Sequence, residues 1–183
     1  MVFRPGFDDA GVIPDTVKDT DSETIIFYAK WGDSDVDSGG GVPFFPNCKA
    51  SSQLPGDSGT PDYGPYMTRD GSLATAWNEG APNDGMGEWL QLEASEKQRV
   101  SGLRIATGFQ KTEKIYSKNN RPRDITISFE DGTTCNAILD DVLGYQTITF
   151  DRPVETRIVR ITINSTYEGN RFEDCCISEI EEF

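Results

Sequence analysis

Ile125-Thr126-Ile127-Ser128-Phe129-Glu130 alternates apolar and polar residues without interruption, and Asp131-Gly132 follows directly. A two-residue period sends one set of side chains into a core and the other into water, and an Asp-Gly step beside such a run is a hairpin signal. The run is therefore predicted to pair with residues 133–139. The same period returns in Leu90 and Leu92 after Trp89, in Leu103 with Ile105, in Ile148 with Phe150, and in Val159 with Ile161 and Ile163. No long amphipathic helical period interrupts them. Six to eight short strands of this kind predict an all-β fold, an antiparallel sandwich and not a parallel α/β sheet. A chain of 183 residues with ten Phe, six Tyr and three Trp fills one such core, and eighteen Gly and ten Pro supply its turns.

Composition removes several function classes. The chain contains no histidine, which excludes a Ser-His-Asp triad, a Cys-His pair and histidine-ligated zinc. Carboxylate-pair hydrolysis stays open in form, because thirty-one Asp and Glu always provide some close pair, but nothing singles one out. A formal net charge of -14 makes nucleic acid and anionic membrane poor partners, since both are held by Lys and Arg. It suits solubility outside a cell and supplies carboxylates for calcium. No run approaches the roughly 18 apolar residues of a membrane span. No signal peptide opens the chain, and Met1-Val2 reads as the start of an excised piece of a larger multidomain protein. Cys48, Cys135, Cys175 and Cys176 lack zinc spacing and leave three disulfide pairings, or four thiols, open.

Residues 1–45 read as a linker or extra edge segment, and 46–183 as the sandwich. Within the first part, Ile25 to Trp31 is an apolar run too short to assign by period, an extra edge strand or one helical turn, with the strand favoured. Asp33 to Gly39 imitates the start of an EF-hand loop but fails it, with Ser38 where glycine is needed and Phe44 where the closing glutamate belongs.

Two regions carry candidate chemistry. In Arg69-Asp70-Gly71-Ser72-Leu73-Ala74-Thr75-Ala76-Trp77 a tight Asp-Gly turn precedes a hydroxyl five residues past the carboxylate, and Trp77 can anchor the loop in a core. In the last strand, Ile177 and Glu179 share a face, so an inward Ile177 brings Glu179 inward too, where a carboxylate requires a cation or hydrogen-bond donors. The second region is 110–123, basic in an acidic chain and without strand alternation, hence read as a long loop. Tyr116 offers an aromatic face for sugar CH groups, Asn119, Asn120 and Arg121 offer donors to hydroxyls, and Lys118 stands behind them. The alternative is an Asn-Asn-Arg-Pro turn that holds its own backbone, with Arg121 paired to a local carboxylate. Trp77 and Trp89 are read as core.

Six spaced blocks, in order, resemble the NADase-type glycan-binding branch of the discoidin, or F5/8 type C, superfamily of galactose-binding-like jelly rolls. They are Ser51-Ser52-Gln53-Leu54, Asp70-Gly71 with Thr75 to Gly80, Gly85 to Trp89, Gly108 to Lys111, Tyr116 to Pro122 and Ile177 to Ile180. The resemblance implies a jelly-roll β-sandwich and a non-catalytic module, secreted or surface-attached, that binds a carbohydrate. It also implies a structural Ca²⁺ held by Asp70, Thr75 and Glu179, with Ser72 giving a carbonyl, and a disulfide from Cys48 to Cys175 or Cys176. The competing implication is a protein-interaction or toxin-translocation accessory domain.

Overall fold

The computed structural model describes residues 44–56 and 62–183, together with the backbone of a strand at 26–28. The strands are β1 (Ile26–Tyr28), β2 (Asn47–Ala50), β3 (Trp77–Asn78), β4 (Trp89–Thr107), β5 (Arg121–Pro122), β6 (Asp124–Phe129), β7 (Thr134–Ile138), β8 (Gln146–Ile163), β9 (Thr166–Tyr167) and β10 (Cys176–Glu182). One short helix, α1 (Glu113–Tyr116), and a 3-10 turn at Pro65–Thr68 complete the described elements. The expected edge strand is present as β1, which pairs in parallel with β7. The linker and EF-hand-like readings lie outside the described residues.

The hairpin read from alternation is β6 and β7, paired antiparallel from Asp124–Ile138 to Ser128–Thr134. Gly132 turns it with φ +84°, a left-handed conformation that glycine adopts without steric cost. The other short runs differ from expectation. The segments around Leu90 and Leu103 are one strand, β4, and those around Ile148 and Val159 are one strand, β8. The two stay paired along their whole lengths, with register breaks between Glu93 and Gln98 and between Val100 and Gly102. Those breaks change which parity faces the core. Leu90, Leu92 and Val100 are buried at even positions and Leu103 and Ile105 at odd ones; β8 changes from Ile148 to Val159, Ile161 and Ile163 in the same way. Bulges bend a strand and increase its twist, so the sheet folds over on itself.

A single hydrogen-bonded path, β1-β7-β6-β8-β4-β10-β3 with β2 added to β4, thus makes both layers of an antiparallel β-sandwich. Its core joins Leu90, Ile127 and Ile161 from one layer to Leu103, Ile148 and Ile180 from the other. Trp77 is wholly buried, and its indole N–H donates to the Ser52 carbonyl at 2.9 Å. Phe45 belongs to the same core.

One ion pair closes the sandwich at its C-terminal strand. Arg69 donates to both Glu182 oxygens at 2.6 and 2.7 Å, to the Ile180 carbonyl and to the Phe45 carbonyl. The two side chains are only 8% and 3% exposed. Removing one partner of such a pair strands the other charge, so Arg69→Ala is expected to cost about 3 kcal/mol in urea denaturation. A loss near zero would show that the clamp contributes nothing.

Candidate functional site

Because β4 and β8 double back, their ends return to one rim of the sandwich. There Gly108 N–H donates to the Cys176 carbonyl, Glu79 N–H to Cys175, Asn120 N–H to Asp174 and Gly87 N–H to Ile163. The segments 79–88, 108–123, 140–145 and 164–175 consequently lie side by side.

The structure brings Tyr116, Asn119, Asn120 and Arg121 together, but facing inward. All four are buried, where an open loop was expected. Thr112 caps α1 by accepting from Ile115 N–H, so part of the window is helical. Arg121 forms a two-point bond to Asp141 at 2.8 and 2.6 Å and donates to the Asn119 and Glu168 carbonyls. The single Tyr116 hydroxyl hydrogen is shared between Asp141 at 2.9 Å and the Val142 carbonyl at 3.0 Å, and the ring lies 5.2 Å from the Arg121 guanidinium carbon. Asn119 donates to the Ile115 carbonyl. These donors have internal acceptors, and the partner that drew Arg121 inward, Asp141, lies on a separate loop. Hydrogen bonds from Arg121 hold the Asp141 carboxyl below its ordinary pKa, while burial raises that of Tyr116. Lys118 is half-buried, and its carbonyl accepts from Arg171 and Phe172 N–H.

What this buried group supports is the neighbouring loop. Asn120, only 3% exposed, accepts from Gly169 N–H at 2.6 Å and donates to the Glu173 carbonyl at 2.9 Å. Asn170 N–H reaches the Ser117 carbonyl at 3.0 Å. Gly169 lies so close that a Cβ there would collide with the Lys118 carbonyl. The loop so fixed borders a cleft of about 640 Å³, lined among others by Asn83, Asp84, Glu168, Asn170, Arg171 and Phe172. The Phe172 ring is 42% exposed, with the Arg171 guanidinium 5.0 Å from its centroid. Amide donors, a guanidinium, carboxylate acceptors and an apolar ring at one concave place are the groups that bind a polyhydroxylated ring. Sequence reasoning passed over this segment. The available signal was one aromatic, Phe172, in a polar run with Gly169 and Asn170 just before the last strand.

The Asp70 loop meets the last strand as the alternation implied. Glu179 is 2% exposed, and its Oε1 accepts from Gly71 N–H at 2.8 Å and Ser72 N–H at 3.3 Å. Burial, then the adjacent Asp70 carboxyl, push its pKa up to about 7. The Thr75 hydroxyl lies within 2.8–2.9 Å of both Asp70 oxygens and of the Ser72 carbonyl. Ser72 N–H also donates to Asp70 at 2.9 Å, but one hydroxyl hydrogen cannot serve three acceptors, and the Asp70 carboxyl lies close enough to raise the pKa of Glu179. This excess of oxygen acceptors fits a hard cation. The Ser72 hydroxyl accepts from Ala74 N–H, leaving the Ser72 carbonyl as that residue's contribution.

Other residues of the resembling blocks bond within the protein. Asn78 and Glu79 are buried, and Glu79 accepts from Ala81 and Cys175 N–H. Ser51 and Ser52 both donate to Glu88, which fastens β2 to the entry of β4. Trp89 is half-buried, with the Arg160 guanidinium 4.2 Å from its ring centroid. The implied disulfide is corrected: all four cysteines are thiols, with Cys48 Sγ against the Thr68 hydroxyl and Cys176 Sγ donating to the Asp174 carbonyl.

Residues 41–182 match the family model described as the NAD glycohydrolase translocation F5/8 type C domain. No curated protein sequence matches the chain. Among solved structures, the family 32 carbohydrate-binding module of Clostridium perfringens NanJ, in complex with galactose, is 17% identical. That similarity covers 74% of this chain and 91% of that one, at TM-score 0.54. The CpGH89CBM32-5 module of C. perfringens, in complex with GalNAc-β-1,3-galactose, is 14% identical over 75% and 94% of the two chains, at TM-score 0.56. Chitosan-binding module 1 from the chitosanase/glucanase of Paenibacillus sp. IK-5 is 17% identical over 78% and 96%, at TM-score 0.57. At these identities the likeness establishes the fold. Among the described residues no helix is long and apolar enough to cross a membrane.

If Asn120 holds the cleft loop in shape, Asn120→Ala should cost about 2 kcal/mol and raise amide hydrogen exchange across 169–174, leaving the β6–β7 hairpin protected. Unchanged exchange in that loop would remove its supporting role.

Proposed function

Given that the chain belongs to the NAD glycohydrolase translocation F5/8 type C domain family, we propose that it is a non-catalytic carbohydrate-binding module, working outside the cell as part of a larger protein. Its sugar site is the rim cleft at Asn83-Asp84 and Glu168 to Glu173. The observation that carries this reading is the exposed Phe172 ring set among amides, a guanidinium and carboxylates on a loop braced by Asn120. The family 32 modules of similar fold, crystallised with galactose and with GalNAc-β-1,3-galactose, support a sugar as the class of ligand. The residues expected at first, Tyr116, Lys118, Asn119, Asn120 and Arg121, act in this reading through the loop they hold. Binding requires no bond to be made or broken, so the sugar is recovered intact.

The Asp70 and Glu179 carboxylates, the Thr75 hydroxyl and the Ser72 carbonyl would hold a calcium ion. A bound Ca²⁺ supplies the positive charge that lets both carboxylates stay ionised side by side. Its role is structural, tying the loop after Arg69 to the last strand. The description of the family as a translocation domain favours a second reading, in which the rim meets a protein partner during export of an attached toxin.

On a glycan array the domain is expected to bind a restricted set of sugars, and Phe172→Ala to weaken that binding roughly tenfold through loss of the stacking face. An array without signal would favour the protein-partner reading, and release of reducing sugar from a bound oligosaccharide would contradict a non-catalytic module. Chelation with EDTA should lower the melting temperature, and Asp70→Ala should remove that response. Identical melting curves with and without chelator would remove the ion.

A further inference from the structure

Resting on the sugar site proposed above, we infer that the cleft selects amino sugars bearing a free, protonated amine over their N-acetylated and acidic counterparts. Its walls are unbalanced in charge. Asp84, Glu168 and Glu173 line it against a single lining guanidinium, Arg171. Among the described residues none of the three carboxylates forms a salt bridge. The pairs present are Lys49–Glu93, Arg69–Glu182, Arg104–Glu181, Arg121–Asp141, Arg123–Asp124 and Arg157–Glu130. Asp84 accepts from Met86 N–H at 3.3 Å, a long and neutral bond. Arg171 lies over the Phe172 ring.

Two polar side chains beside the cleft, Arg121 and Asn120, are already engaged. Arg121 touches the loop through the Glu168 carbonyl, but its charge is matched by Asp141. Asn120 lines the cleft with both ends of its amide bonded to the backbone of the same loop. Behind the wall, burial and then the charge of Glu173 raise the Asp174 carboxyl, and burial, with Asp174 and Glu88 adding, raises Glu79.

The fixed charge of the cleft is therefore negative, three carboxylates against one guanidinium. A neutral sugar hydroxyl satisfies a carboxylate with an ordinary hydrogen bond, whereas an ammonium forms a charge-assisted one about twice as strong. An ammonium is also attracted to the face of an aromatic ring such as Phe172. A uronate or sialic acid brings like charge to the same walls. The net charge of -14 adds long-range attraction for cations and repulsion for anions.

The test is calorimetric titration of the whole chain, at low salt, with three oligosaccharides of equal length: β-1,4-linked glucosamine, its fully N-acetylated form and a uronate. The glucosamine oligomer should bind about tenfold more tightly than the acetylated one, with the gap narrowing at high salt, and the uronate should not bind. The double substitution Glu168→Gln and Glu173→Gln should bring the glucosamine affinity to within about twofold of the acetylated sugar. An acetylated oligomer that binds as tightly or more tightly, and still depends on Phe172, overturns the selectivity and leaves the sugar site standing. Glucosamine binding that survives Phe172→Ala and is matched by an oligolysine of equal charge overturns the selectivity as mere surface attraction. Failure of all three sugars, together with an empty array, overturns the sugar site as well.

Discussion

The pairing of β4 with β8 on both sides of two register breaks is the constraint on which the rest of the molecule depends. Two register breaks let the same two strands belong to both layers, and the parity change from Leu92 to Leu103 keeps apolar side chains inside on each side of the bend. Without the breaks, one half of each strand would present its leucines and isoleucines to water. The fold-over also decides where function can sit. It sends the bends and the β6–β7 hairpin to one end and gathers the termini of β4 and β8 with the start of β10 at the other.

That rim is organised by polar groups with internal partners, most of them buried. Asp141 takes Arg121 and Tyr116, Asn120 takes two backbone groups of the loop at 168–173, and Glu79 takes Ala81 and Cys175. Each such bond adds little net stability, but leaving its group buried and unpaired would cost much more. The arrangement fixes the loop before any ligand arrives, so binding need not supply its ordering entropy. A second junction works at the far side of β10. Arg69 grips Glu182, and the next two residues, Asp70 and Gly71, are thereby set beside Glu179.

Much of this was legible in the sequence wherever the information was local. The β6–β7 hairpin followed from alternation and an Asp-Gly turn, Trp77 from its place after the Asp70 loop, and the inward Glu179 from sharing a face with Ile177. What escaped was set by partners distant along the chain. The β4 and β8 runs looked like four strands because a bulge reverses the period, and the period was the signal being read. The segment 110–123 looked like a basic, sugar-facing loop because Asp141, which neutralises Arg121, is invisible to a reading of that window. Phe172 gave no period at all, and its meaning depends on Asn120 holding the backbone on either side of it. The disulfide came from resemblance alone, and all four cysteines are free thiols.

In the proposed function a sugar sits in the rim cleft around Phe172. Amide chemical shifts of isotope-labelled protein, followed while a sugar that binds on the array is titrated in, test it most directly. The largest changes are expected at residues 83–84 and 168–173, with smaller ones at the Asn120 that braces them. Changes concentrated instead on the outer face around Trp89 and Arg160, with the rim silent, would contradict it.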